Sequence, residues 1–343
     1  MRMDALLRLA GRRRLDQVLV CDPANVRAFT GVASDNAVVT KEAIYTDFRY
    51  LPAARRVLKA AAAAASLAVR DIKKLEGAMP HGSSGRRIGY ESSITHERFL
   101  KLQKLFPRAK FVDISKGLGE IRAVKTPDEI AALRAAARLS AEIWKEASGR
   151  FKAGMTELEM ARVIRRLMAE RGDGESFDTI VCVGRNAAEC HHEPDDTVWD
   201  GREPVLVDMG VKLGGVCSDM TRNIVPRRPS PRYRQAYDLV RRAHDAAIEA
   251  ARPGMTAKAL DRVARDVIRA GGLGRRFGHS LGHGVGYEIH EAPAVSWKGD
   301  LVLKEGMVFT IEPGVYIEGD IGIRIEDTVL LGPSGCEVLT REV

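Results

Sequence analysis

Gly154–Gly174 reads GMTELEMARVIRRLMAERGDG, and Gly254–Gly274 reads GMTAKALDRVARDVIRAGGLG. The two stretches lie 100 residues apart and are identical at eight of twenty-one positions. Each opens on a glycine turn, continues with a threonine suited to cap a helix, runs through an amphipathic helix and stops at glycine. The segment after each copy is strand-like and decorated with polar residues. A repeat at this spacing is not a solenoid unit. It predicts two similar αβ halves related by a pseudo-twofold axis, a reading preferred to chance likeness between two helix starts.

Upstream, Thr126-Pro127-Asp128-Glu129 has the signature of a helix start: a threonine cap, proline as first helical residue and glutamate as capping-box partner. The helix is expected over Asp128–Ser148. A domain boundary falls just before it, within Gly119–Lys125, giving domains of 1–120 and 121–343. The 343-residue length fits two domains of about 100–200 residues each. The first domain alternates strands and helices, an α/β layer. Gln17–Cys21, Asn36–Thr40, Ala43–Thr46, Arg87–Tyr90 and Lys110–Asp113 are the expected strands. Ala53–Ala68 is the expected helix, and Gly77–Arg87 a loop.

Composition narrows the class. At 45% hydrophobic and 29% charged residues, the chain is neither disordered, collagenous nor a coiled coil. No run reaches the ~18–20 apolar residues of a membrane span. Asp4 and Arg8 interrupt the apolar start, so it does not read as a secretory signal. Cys21, Cys182, Cys190, Cys217 and Cys336 are scattered with no CxxC pair, which points to a reducing, cytoplasmic setting. The net charge of +8 is spread over separate arginine pairs. These read as solvated surface, not the clustered face of a nucleic-acid binder, and no nucleic-acid or membrane partner is expected.

The second domain puts carboxylates on strands. Val205–Asp208 (VLVD) ends in Asp208 and, across a glycine turn, Val216–Asp219 ends in Asp219. Val308–Glu312 (VFTIE) ends in Glu312 and, across another turn, Ile321–Glu326 (IGIRIE) ends in Glu326. Two hairpins with one acid on each arm can bring all four together. Four such charges need a counter-ion, and a divalent metal supplies it. Manganese, cobalt, iron or zinc suits carboxylates joined by an imidazole. Histidines cluster at Cys190-His191-His192 and at His279, His283 and His290 within GHSLGHGVGYEIHEAP. His81, His96 and His244 read as ordinary packed or exposed residues. Gly278-His279-Ser280-Leu281-Gly282 matches a G-x-S-x-G elbow, but Gly271–Phe277 before it (GGLGRRF) is no apolar strand, so a serine hydrolase is disfavoured.

VDMG (Val207–Gly210), SDMTR (Ser218–Arg222), GHGVG (Gly282–Gly286) with IHEAP after it, TIEPGVY (Thr310–Tyr316) and RIEDT (Arg324–Thr328) resemble, in order, the motifs of the pita-bread metallopeptidases, the superfamily of methionine aminopeptidase, prolidase and aminopeptidase P. YTDFRY (Tyr45–Tyr50) and the FTGVASDNAVV before it resemble the creatinase/prolidase-type N-terminal domain. The resemblance implies an N-terminal creatinase/prolidase-like α/β domain followed by a pita-bread catalytic domain with a pseudo-twofold repeat. It implies two divalent metal ions, with manganese favoured, on Asp208, Asp219, His283, Glu312 and Glu326, where Asp219 and Glu326 bridge. It implies His191 and His290 as catalytic, substrate-binding histidines, Glu312 as the proton shuttle, a supporting place for His279 and an orienting one for Thr221.

The N-terminal domain favours the Xaa-Pro branch. Cys190, where that branch usually has proline, is instead like methionine aminopeptidase. The expected activity is removal of the N-terminal residue from peptides with a free N-terminus, at Xaa-Pro bonds, as in aminopeptidase P or prolidase. A methionine-aminopeptidase-like or non-proline aminopeptidase is the alternative, and a non-catalytic pita-bread binding module is the alternative of another class. A homodimer is expected from the resemblance. Trp199, Tyr287 and Trp297 are candidate pocket aromatics.

Overall fold

Thr156 and Thr256 each cap a helix, Glu157–Arg171 and Ala257–Ala270, by accepting a hydrogen bond from the backbone N–H three residues on. The glycines before them, Gly154 and Gly254, sit at φ +95° and +93°, where a side chain would be strained. The two turns are also tied down alike. Gly154 N–H donates to Trp199 O at 2.8 Å and Gly254 N–H to Leu303 O at 2.9 Å. Trp199 N–H returns to Met155 O at 2.8 Å, and Leu303 N–H to Met255 O at 2.7 Å. The repeat is therefore a duplication of structure as well as of sequence. A longer helix precedes each copy, Pro127–Arg150 in the first half and Pro231–Ala250 in the second. Thr126 and Glu129 form both hydrogen bonds of the capping box, and Pro127 is the first helical residue.

The computed structural model describes residues 2–60, 67–78 and 85–341. They divide into two compact units, Met1–Arg122 and Ala123–Val343. In the second unit, each half lays its helices on an antiparallel sheet. Ile180–Val183 pairs with Val205–Met209, which pairs with Met220–Ile224. Met160, Ile164, Leu167 and Met168 pack on Val181, Val183, Val205 and Val207. In the other half Leu260, Ala264 and Ile268 pack with Val295, Phe309 and Ile311. That sheet runs Glu291–Val295, Gly282–Gly284, Val308–Ile311, Asp327–Leu331, Cys336–Val338. Burial of these apolar faces is the main stabilising term, and it decides which side chains are left on the opposite faces.

The second expected hairpin is longer than its sequence suggests. Val308–Ile311 pairs with Asp327–Leu331, and Gly314–Ile317 pairs with Ile321–Arg324. Both ladders keep one register, so they are two lengths of a single hairpin interrupted where Pro313 lacks an N–H to donate.

In the first unit, Gln17–Leu19, Arg87–Tyr90 and Lys110–Asp113 form a parallel ribbon. Ala37–Val39, Ala43–Thr46 and Ala68–Asp71 form a mixed one, and a bridge between Val20 and Val39 joins the two. One expectation is corrected here. The helix read over Ala53–Ala68 is helical over Leu51–Ala60, and Ala68 starts a strand parallel to Ala43–Thr46. Helix propensity is a weak guide even for alanine, and the pairing of Ala68–Asp71 at a sheet edge overrides it there. Residues 61–66 of that expected helix, residues 79–84 of the expected loop, and His81 lie outside the described residues. Among the described residues, no helix is long and apolar enough to cross a membrane.

Candidate metal centre

Strand alternation presents the acids. Val205, Val207 and Met209 face the helices, which leaves Asp208 on the opposite face. Asp208 is paired across the ladder with Thr221, two residues along the chain from Asp219. In the other half Phe309 and Ile311 face the helices, leaving Thr310 and Glu312 opposite. Glu312 and Glu326 stand on facing arms just beyond the Ile311–Asp327 pair. Gly282 and Gly284 flank His283, and a Cβ on either would meet a neighbouring backbone oxygen at 2.0–2.1 Å. Only glycine lets this strand lie so close, and His283 is carried in with it.

Asp208, Asp219, His283, Glu312 and Glu326 line one cavity of about 760 Å³, together with His191, His279 and His290. One ligand atom each of Asp219, His283 and Glu326 falls within 4.8 Å of the others. His283 Nε2 is 3.5 Å from Asp219 Oδ2 and 3.3 Å from Glu312 Oε1. The His283 and His290 rings stand edge to face, 4.2 Å between centres.

The electrostatics are those of a site built for cations. Burial, then Glu326 and Asp208, drives the Asp219 carboxyl well above the usual carboxylate range. Burial, then Glu312 and Asp208, does the same to Glu326. Burial lifts Glu312 to about 8 against the pull of Arg324. Burial lowers His283 and His290 and takes His279 down to about 4, so the imidazoles are neutral at neutral pH. Asp208 Oδ1 is buried with no hydrogen-bond partner among the described residues. A buried carboxylate oxygen left in this state is costly unless a ligand takes it. Oxygen-rich donors with a neutral imidazole and an orphaned oxygen fit divalent metal ions.

A guanidinium completes the site, and sequence reasoning assigned it no role. Arg324 is buried and donates to Asp208 Oδ2 at 2.7 Å, Thr221 Oγ1 at 3.0 Å and Tyr316 Oη at 2.8 Å. Thr221 in turn donates to Glu326 Oε2 at 2.6 Å. Tyr316 Oη lies 3.0 Å from His279 Nε2. Arg324 also reaches the Cys190 carbonyl at 3.4 Å, which ties the loop before His191 to this cluster. Its position inside RIEDT was the one signal in the chain, but its partners come from other strands.

The three candidate aromatics pack away from the cavity. Trp199 donates to Glu203 O, Tyr287 packs on an apolar cluster beside Leu133, and Trp297 is exposed under Arg265. Phe177 is the cavity's aromatic residue. Ser280 follows a 3-10 turn at Gly274–Arg276 and not a strand, so the nucleophile elbow is missing its scaffold. His244 is buried against Asp245 and Asp327, a structural role.

Paired acids and a neutral imidazole at the junction of two duplicated halves define a metal-dependent enzyme. Comparison with known proteins specifies it further. The model of metallopeptidase family M24 matches residues 131–333, and that of the creatinase/prolidase N-terminal domain matches residues 2–124. The chain belongs to metallopeptidase family M24, the metal-dependent peptidases. It is 34% identical over 351 residues to a Xaa-Pro dipeptidase of Pyrococcus furiosus, covering 99% of this chain and 97% of that one. A Xaa-Pro dipeptidase of Lactobacillus helveticus is 41% identical over 252 residues, covering 73% and 68% of the two chains. The solved Xaa-Pro dipeptidase from Bacillus anthracis superposes with a TM-score of 0.91 at 29% identity, covering 99% of this chain and 98% of that one.

Proposed function

We propose that this protein hydrolyses the bond between an N-terminal residue and a following proline, acting as a Xaa-Pro dipeptidase or aminopeptidase P. Full-length similarity to proteins named Xaa-Pro dipeptidase supports the substrate class. The observation that carries the chemistry is the set of four carboxylates in one cavity, with Asp219, Glu312 and Glu326 held protonatable in the absence of cations. Arg324 pairs with Asp208 among them, and this cluster of four acids and one guanidinium carries a formal charge of −3 when all four ionise. Two divalent cations offset that charge to within one unit.

Asp208, Asp219, His283, Glu312 and Glu326 would hold the two ions. When bound, the ions supply Lewis acidity and make water acidic enough to serve as a nucleophile near neutral pH. Glu312 accepts the proton of the attacking water and passes it to the leaving proline nitrogen, the task of a carboxylate held ionised beside the reacting centre. His290 and His191 line the same cavity and hydrogen-bond the carbonyl oxygen as it gains charge. The substrate's free amine finds carboxylates at the cavity floor, which restricts cleavage to the chain end. Thr221 and Arg324 hold Glu326 and Asp208 in place. Manganese is the proposed metal, the cytoplasm the proposed compartment and a homodimer the proposed assembly.

The test is hydrolysis of Xaa-Pro dipeptides, Xaa-Pro tripeptides and Met-Ala peptides after chelation and re-addition of manganese, cobalt or zinc. Metal-dependent cleavage of the Xaa-Pro substrates is expected. Preferential cleavage of Met-Ala overturns the specificity, and full activity in chelator overturns the mechanism.

A further inference from the structure

Glu157 is the first residue of the capped helix Glu157–Arg171 and is completely buried. It touches none of the five proposed metal ligands, yet both its oxygens are fully engaged. Oε1 accepts from Val183 N–H at 2.6 Å and from Asn186 Nδ2 at 3.0 Å. Oε2 accepts from Asp195 N–H at 3.1 Å and lies 2.7 Å from His192 Nε2. All four partners lie on one stretch, Val183–Asp195. That stretch carries His191, and His191, His192, Glu193 and Pro194 all line the cavity.

Glu157, His192 and Asp195 have the outward look of a cation site. The hydrogen bonds decide otherwise. A carboxylate whose oxygens already take two backbone N–H groups, an amide and an imidazole has its acceptor capacity spent inside the protein. Burial opposes charge on His192, but the hydrogen bond to Glu157, the Glu157 charge and Glu189 outweigh it and raise its pKa. With a carboxylate as acceptor the contact is charge-assisted, the stronger kind.

The other half repeats the plan. Asp261, buried on the helix Ala257–Ala270, accepts from Leu281 N–H at 3.1 Å and from Nε and Nη2 of Arg265. Arg265 in turn donates to Phe277 O and His279 O at 2.9 Å. In each half a buried acid on the duplicated helix pins the loop that brings histidines to the cavity.

We propose that Glu157 is a positioning residue: through His192 and Asn186 it fixes the loop so that His191 meets the substrate carbonyl. The inference rests on the place given to His191 in the reaction. A shift of about 1 Å in such a group costs about 100-fold in rate. Glu157→Gln keeps the size but loses the charge and one acceptor oxygen. It should lower kcat by about 10–100-fold, with KM changed less than about threefold and metal content unchanged. The discriminating measurement repeats the substitution in a His191→Ala background. There it should change kcat by less than about twofold, although it lowers Tm by the same amount in both backgrounds. His192→Gln, which retains a donor toward Glu157, should recover most of the activity lost in His192→Leu; this pair serves if Glu157→Gln does not fold. An equal fall in kcat with and without His191, or a loss of bound metal in Glu157→Gln, overturns the proposal. Undiminished kcat in His191→Ala alone sinks the role of His191 and this inference with it, whereas additivity sinks only the inference.

Discussion

Stripping the metal should invert the ordinary pH dependence of this protein's stability. Asp219 and Glu326 are driven upward by burial and mutual repulsion, and Glu312 rises from 4.5 to about 8. In the metal-free fold these groups hold protons that the unfolded chain has already released. Stability they contribute is therefore complete below their ordinary range and is lost as pH rises from about 4.5 through about 8. At roughly 1.4 kcal/mol per pH unit, Glu312 alone accounts for about 5 kcal/mol across that window. For a unit the size of Ala123–Val343 that is roughly 10 °C in Tm. Saturating metal keeps the same carboxylates ionised throughout, so it removes the slope. Thermal unfolding of chelated and manganese-loaded protein, followed from pH 5 to 8.5, measures it. The quantity to read is the gap between the two Tm curves, because titrations outside the site are common to both and cancel in it. The gap should widen steadily with pH. Parallel curves would refute the reasoning, since they would mean the acids do not share one buried, cation-free field.

Glu312→Gln should lower kcat by about 10²–10⁴-fold while the protein stays folded, measured by steady-state hydrolysis of an Xaa-Pro dipeptide with metal content checked in parallel. Arg324→Met removes the one guanidinium that Asp208 pairs with; a loss of about 3–5 kcal/mol is expected in denaturant unfolding of the metal-free protein, shrinking when metal is added. Ser280→Ala should leave kcat/KM within about twofold of the parent, and a collapse of activity would revive the serine-nucleophile reading.

Much of the architecture could be read from the chain because its signals are local. A glycine at positive φ, a threonine cap and a stop glycine are decided within a few residues, and they recur 100 positions apart. Acids ending apolar strands stood out because a sheet facing a core does not otherwise keep them. The features that stayed hidden depend on which strand lies beside which. Arg324 acquires its meaning from Asp208, Tyr316 and Thr221, none within five residues of it in the chain. Nothing in the sequence marks Glu157, whose role depends on the Val183–Asp195 loop that folds onto it. Phe177, and not the larger Trp199, Tyr287 or Trp297, lines the cavity, because aromatic size says nothing about which side of a sheet a loop returns on. Ala68–Asp71 was concealed because the alanine-rich sequence before it favours a helix, whereas Ala68–Asp71 itself pairs parallel to Ala43–Thr46.

The decisive measurement is a manganese titration of the chelated protein, counting bound ions per chain while following hydrolysis of an Xaa-Pro dipeptide. Two equivalents taken up, with turnover appearing as they fill and abolished in Asp219→Asn, is the predicted result. Turnover that persists without metal, or saturating metal that leaves all five residues without a bound ion, would contradict the account.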